Sequence, residues 1–415
     1  MNTSVLGKNK NFLLYYQCFL AVVIVSVFFT AADNYFYDSG YTPQSSILLL
    51  FTAIASLPLY PSWVSANHKY LPDALLKWCI VYLAVSIISY LLVIKDENIQ
   101  QELKDRVSAV IFLNVSSFIF SGKKLVIQTA RWAILVATFW NIYSYIAELF
   151  QPGIWHTLTT ANPTGRPSGF YLDPNKAACV LIIGMIITVS LLPPKFRLPF
   201  SLVVFLGVFC TLSRGGMICI AIVIIFMCIK KIIPKQQIGI IFISALILAL
   251  NLAAVGQYLE SEAANLGIIN EDIHTRIITF TNPSSSEASD DTSRLDIAVY
   301  SWQTFLRNPL FGYGIGYIKS WGDIFPHNMY LSYMIEHGFL GALVVPCLVL
   351  AIRKKSIGEI KYLASIIGCF ILIWSIFSNT ILYDREVLTI YSLIAVMSKK
   401  SYVDNQEKHN TYKLS

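Results

Sequence analysis

His327 stands in the triplet Pro326-His327-Asn328, directly before a long apolar run that carries Gly338 and Gly341. A neutral imidazole in that place can take a proton from a hydroxyl, because its ordinary pKa of about 6.5 lies close to a neutral working pH. An interfacial histidine beside a helix cap has the same appearance. Arg214, in Thr211-Leu-Ser-Arg-Gly-Gly216, follows Ser213 and precedes Gly215 and Gly216. Its guanidinium could grip a phosphate with two parallel N–H groups while the glycines let backbone approach closely. A snorkelling arginine that ends a span gives the same pattern. The stretch Arg166-Pro-Ser-Gly-Phe-Tyr-Leu-Asp-Pro-Asn-Lys-Ala-Ala178 offers Arg166 and Lys176 near a helix N-terminus, where free N–H groups favour an anion. Asp173 or Asn175 capping a helix explains it equally. Glu336 and His337 lie within the apolar run after His327, where ionisable groups are costly and point to function; a buried structural pair is the alternative.

Absences narrow the chemistry. The chain has no P-loop, no Gly-x-Gly-x-x-Gly, no Gly-x-Ser-x-Gly, no His-Glu-x-x-His and no Asp-x-Asp, which argues against nucleotide chemistry. All eight cysteines fall in apolar runs without a Cys-x-x-Cys, so neither disulfides nor zinc are expected. No charged stretch is dense enough for a nucleic-acid arm.

The elements that must position these residues are membrane helices. Charged residues make up 13% of 415, about half the roughly 25% of a soluble chain, and 55% are apolar. Cutting the chain at its polar breaks gives twelve spans of about the length a bilayer requires: 12–31, 46–64, 73–94, 107–120, 130–149, 177–193, 197–213, 215–233, 237–255, 329–351, 361–378 and 384–398. The fourth is short enough to be tilted, re-entrant or wrongly bounded. Lys and Arg gather at one set of ends (Lys8 and Lys10, Lys123 and Lys124, Lys230 and Lys231, Arg353 to Lys355, Lys399 and Lys400), which assigns those ends and both termini to the cytoplasm. Residues 150–176 and 256–328 then lie outside. The second is too long for an idle connection. Within it, Leu295, Val299, Trp302 and Leu306 recur at helical steps up to Asn308-Pro309, with Asp291 or Thr292 as N-cap and Arg294 in the first turn. Such a helix would lie on the membrane surface or over a cavity.

Taken in order on one face of a twelve-span chain, these motifs resemble the bacterial O-antigen ligase and polymerase superfamily. His327-Asn328 followed by Gly338-x-x-Gly341 is similar to its histidine motif, and Asn308-Pro-Leu-Phe-Gly-Tyr-Gly-Ile-Gly316 to the segment that precedes it. Arg166-x-Ser-Gly-Phe with Asp173-Pro-Asn175, and Ser213-Arg-Gly-Gly216, resemble its upstream signatures. The specific part covers roughly residues 160–345, and the first five spans carry no signature. The resemblance implies an all-α, GT-C-like multi-pass protein of the bacterial inner membrane. Its expected divisions are helices one to five (1–149), a core with a periplasmic loop at 256–328 (150–345), and C-terminal helices with a cytoplasmic tail (346–415).

The implied reaction moves a glycan from an undecaprenyl-pyrophosphate carrier to an acceptor hydroxyl on the periplasmic side, with inversion and without metal or cofactor. His327 is the expected base. Arg214, Arg294 and Arg166 are expected to hold the diphosphate, with Asn328, Ser213, Gly215, Asn175 and Glu336 in support. Lipid A-core as acceptor makes the protein an O-antigen ligase. A second lipid-linked glycan makes it a Wzy-type polymerase, and a protein hydroxyl a protein O-oligosaccharyltransferase. A polysaccharide transporter is the reading from a different class, and paired, broken half-helices that would favour it are missing.

Overall fold

The computed structural model describes residues 3–62, 67–151, 153–155, 166–234, 237, 239, 289–322 and 325–414. Among them no strand occurs. The main helices are α1 (Thr3–Ile24, continued by a π turn at Val25–Phe29), α2 (Ala32–Asp38), α3 (Ser45–Ser56), α4 (Asp73–Leu92), α5 (Glu97–Phe120), α6 (Lys124–Phe150), α7 (Pro174–Thr188), α8 (Pro194–Cys210) and α9 (Arg214–Ile229). After residues outside the description come α10 (Ser289–Arg307), α11 (Met329–His337), α12 (Val344–Arg353), α13 (Glu359–Trp374) and α14 (Arg385–Leu414).

Local chemistry sets several boundaries. Asp96, Asp173, Ser213 and Asn328 each accept a backbone N–H from the first turn of α5, α7, α9 and α11, satisfying donors the helix itself leaves orphaned. Pro174 follows its cap at the first helical position, where a missing N–H costs nothing. α10 begins at Ser289, so Asp291 and Thr292 lie in its first turn rather than at its cap, a shift of the size by which helix ends ordinarily vary.

Five helical segments are long and apolar enough to cross a membrane: Asn11–Phe29, Asp73–Leu92, Lys124–Phe150, Pro174–Leu191 and Met329–Arg353. The last joins α11 to α12 through a 3₁₀ segment, Gly338–Leu343. Ser45–Leu59 and Arg214–Ile229 are shorter apolar helices. Among the described residues the protein is thus all-helical, with several helices long and apolar enough for a multi-pass membrane protein. The expected ninth span, apart from residues 237 and 239, falls outside the described residues, as do 256–288, 323 and 324 of the 256–328 segment. The expected fourth span, 107–120, is the C-terminal part of a longer helix that starts at Glu97 and carries Lys104, Asp105 and Arg106 ahead of the apolar run, with Arg106 paired to Glu102.

The described chain packs as two units. The first comprises 1–29, 45–133 and 290–415, and the second 30–44 and 134–289. In the first, α5 packs against α14 and α4, and α12 against α13. Gly368 lets α13 close on Val349 of α12, where an added Cβ would stand 2.7 Å from the Val349 side chain. Asp73 at the start of α4 bridges Lys355 and Lys399, each at 2.9 Å, which ties α14 to the rest of that unit. The second unit is centred on α7, buried along nearly its whole length between α8 and α9. Gly207 and Gly216 allow the close approach there, against Leu181 and Ala178 respectively.

Candidate functional site

In the second unit the two upstream motifs meet. The Ser213 hydroxyl donates to Asn175 Oδ1 at 2.8 Å and also receives the Gly216 N–H that caps α9. Arg166 is buried, with Nη1 donating to the Leu212 carbonyl at 3.4 Å. The turn between them is held from below: one oxygen of buried Glu148 accepts both the Ser168 and the Gly169 N–H at 2.8 Å. Gly169 is required there. Its φ is +57°, and a Cβ would meet Ser144 Oγ at 2.6 Å. Arg166, Asn175, Ser213, Arg214 and Gly215 are therefore parts of one assembly, with Arg214 half-buried at the first position of α9. The capping expected of Asp173 is present, since it accepts the Asn175 N–H at 2.8 Å. The side chains of Arg166 and Asn175 both reach the 211–216 turn, at the Leu212 carbonyl and the Ser213 hydroxyl.

The first unit holds Arg294, His327, Asn328 and Glu336. His327 is exposed, and the Asn328 side chain next to it accepts the Leu331 N–H at 3.1 Å. Arg294 is exposed on α10. The apolar stripe of α10 is exposed as well, at Leu295, Val299, Trp302 and Leu306, while Ser301, Thr304 and Phe305 face inward.

The glycine-rich segment 308–316 and the helix after His327 form a single piece. Tyr313 N–H donates to the Ile335 carbonyl at 2.8 Å, Gly314 N–H to Glu336 at 2.9 Å, and Phe339 N–H to Pro309 at 2.8 Å. Gly312, at φ +68°, lies so close to the Glu336 backbone that no side chain fits. Phe305, Ile318 and Ile335 form a buried apolar cluster joining α10, the 3₁₀ segment Tyr317–Trp321 and α11.

Glu336 and His337 point into a buried charge network that sequence reading missed. Arg106 is fully buried, donates to Glu102 at 2.9 Å, to Glu336 and to Ser86 at 3.3 Å, and lies over the Tyr333 ring. Its Nη1 reaches His337 Nε2 at 2.7 Å. Arginine can only donate, so Nε2 is the acceptor and the imidazole proton sits on Nδ1. The other Glu336 oxygen accepts the Gly316 N–H at 2.9 Å. Glu102 also takes a hydrogen bond from the Tyr383 hydroxyl and a salt bridge from Lys319 at 3.1 Å. Burial alone would raise the Glu102 pKa, but Arg106 and Lys319 outweigh it and hold the group down at about 2. A carboxylate only accepts, so the hydroxyl chain runs one way: Tyr82 to Tyr333 (2.6 Å), Tyr333 to Tyr383 (3.0 Å), Tyr383 to Glu102.

Beside this network lies a cavity of about 620 Å³ within the same unit. Trp78, Val85, Leu92, Phe311, Leu340 and Val344 give it apolar walls, and Tyr82, Tyr333 and His337 a polar patch. Of the groups missed, Glu102 and Arg106 had a detectable signal. They stand four residues apart on one helix face, an ion-pair spacing, at the edge of an apolar run.

The geometry thus gathers the arginine and glycine motifs of the second unit into one polar assembly, and fuses the 308–316 segment of the first to the helix that follows His327. No curated protein matches the chain. Arg166 and Asn175 precede the matched region, but Ser213, Arg214, Arg294, His327, Asn328 and Glu336 all fall inside residues 199–346, which match the Wzy_C family model, described as O-antigen ligase.

Proposed function

We propose that the protein is a membrane glycosyltransferase that moves a glycan from undecaprenyl pyrophosphate to an acceptor hydroxyl, acting as an O-antigen ligase on lipid A-core. The match of residues 199–346 to the O-antigen ligase family model carries this reading. In the proposed reaction the acceptor oxygen attacks the anomeric carbon as His327 takes its proton. The bond from that carbon to the carrier phosphate breaks, and its electron pair leaves with the diphosphate. In-line displacement inverts the anomeric centre. Negative charge grows on the diphosphate as the bond breaks, so fixed guanidinium groups stabilise the transition state more than the ground state. Arg214, Arg294 and Arg166 fill that role without a metal ion, and transfer is expected to persist in EDTA. The exposure of His327 suits a base that must meet an incoming acceptor. The cavity of the first unit, with its apolar walls, suits part of a lipid carrier. The site is assigned to the periplasmic face of the inner membrane, with both termini in the cytoplasm.

Deletion of the gene followed by analysis of surface glycans tests the reading. Long chains left on the lipid carrier are the expected outcome. Single repeats capping lipid A-core would instead make the protein a polymerase, and unchanged surface and carrier-linked glycans would exclude both.

A further inference from the structure

We propose that Arg106 is a positioning residue for the transfer reaction, holding α10 and α11 in one placement against α4 and α5 through Glu336 and the 308–316 turn. The proposal rests on the reading of Arg294 and His327 as reaction groups. Arg294 rides on α10, which runs directly into Asn308-Pro309, and His327 immediately precedes α11. The 308–316 turn continues α10 and is pressed on α11, and Glu336 clamps it from the side chain as well as the main chain. Arg106 then anchors Glu336 to α5, and through Ser86 to α4, two helices that carry none of the reaction groups.

A purely packing role does not require this arrangement. An arginine and two glutamates are costly to desolvate, and well-packed apolar residues of similar volume are often as stable or more so. What the network supplies beyond stability is a unique register. A planar guanidinium that must meet Glu102, Glu336, Ser86 and His337 at once admits one arrangement of α5 and α11, whereas greasy side chains admit several.

Arg106→Lys keeps the charge but cannot reach all four partners. In purified protein the expected result is a kcat lowered about 10- to 100-fold, since a misplacement of about 1 Å can cost about 10²-fold, with the donor KM nearly unchanged. The double variant Arg106→Gln/Glu336→Gln removes both partners of that ion pair while Lys319 stays on Glu102, and is expected to fold but not to recover kcat. Wild-type kcat in the double variant would show that Arg106 merely neutralises Glu336, and would overturn the proposal. Placement itself is read by electron-spin distance measurement between labels at Val299 of α10 and Val81 of α4, both exposed, in a cysteine-free background. A narrow distribution in the parent that broadens or shifts in Arg106→Lys supports the proposal. An unchanged distribution overturns it whatever the kcat, and so does a broadened one with unchanged kcat. Should the parent transfer no glycan from any lipid-linked donor, the proposed function fails while the distances still judge Arg106.

Discussion

The two polar assemblies of this molecule are built on opposite principles. In the second unit the groups around Arg214 are held by short-range devices: a capping serine, a capping aspartate, and a carboxylate gripping two adjacent backbone N–H groups. In the first, the helix behind His327 is held by ion pairs between residues 230 positions apart. Local devices impose a conformation on their own turn and are exchanged one at a time. A long-range network imposes a relation between helices, and its members are coupled in a way that single substitutions cannot apportion.

The largest effect that sharpens this contrast is expected from His327→Ala. Loss of a general base should lower transfer by about 10²- to 10⁴-fold while leaving donor binding nearly intact, measured by transfer and by donor binding on the same preparation. Full activity in a properly inserted variant would remove His327 from the mechanism. Arg214→Lys and Arg294→Lys come next. Both should be severely impaired with charge retained, because an ammonium cannot offer two parallel N–H groups, while Arg307→Lys at the exposed end of α10 should be milder. The assay is transfer on membranes with matched protein levels, and the reverse order would move the diphosphate site elsewhere.

A third pair sets the assemblies against each other directly. Gly312→Ala drives a Cβ into the Glu336 backbone, and Gly169→Ala drives one against Ser144 and Tyr145. Each is expected to cost on the order of 1–3 kcal/mol, read as a lower melting temperature in detergent. Only Gly312→Ala should also broaden the distance between labels on α10 and α4; equal broadening by both would erase the distinction drawn here.

The smallest expected effect concerns pH. Glu102 is held well below its ordinary value of 4.5, so the stability it contributes is complete above that value and declines as pH falls toward 2. Thermal stability should therefore drop through that window, and drop less steeply in Glu102→Gln. A matching slope in both proteins would assign the acid sensitivity to other groups.

Much of this was legible in the sequence wherever the cause was local. The cap at Asp173, the helix carrying Arg294, and the apolar stripe of that helix all follow from spacing within a single turn or two. The Arg106 network was not legible, because nothing near Arg106 says that Glu336 will be its partner; a charged triplet at the edge of an apolar run looks like a boundary until its counter-charge is known. Span limits were legible only in part: the expected spans 197–213 and 361–378 correspond to the helices Pro194–Cys210 and Glu359–Trp374. Hydropathy registers how apolar a segment is, and says less about where its caps will stop it.

The discontinuity of the first unit has a consequence for how the protein is made. Its parts lie at both ends of the chain, with the second unit's residues synthesised in between. At roughly 5–20 residues per second, Glu336 leaves the ribosome about 10 to 50 s after Arg106. For that interval Arg106 and Glu102 have each other, four residues apart, but not their final partner. The helix bearing them must be held in a provisional state until the end of synthesis. A chain truncated before residue 336 is therefore expected to be a substrate for membrane quality control rather than a smaller working enzyme.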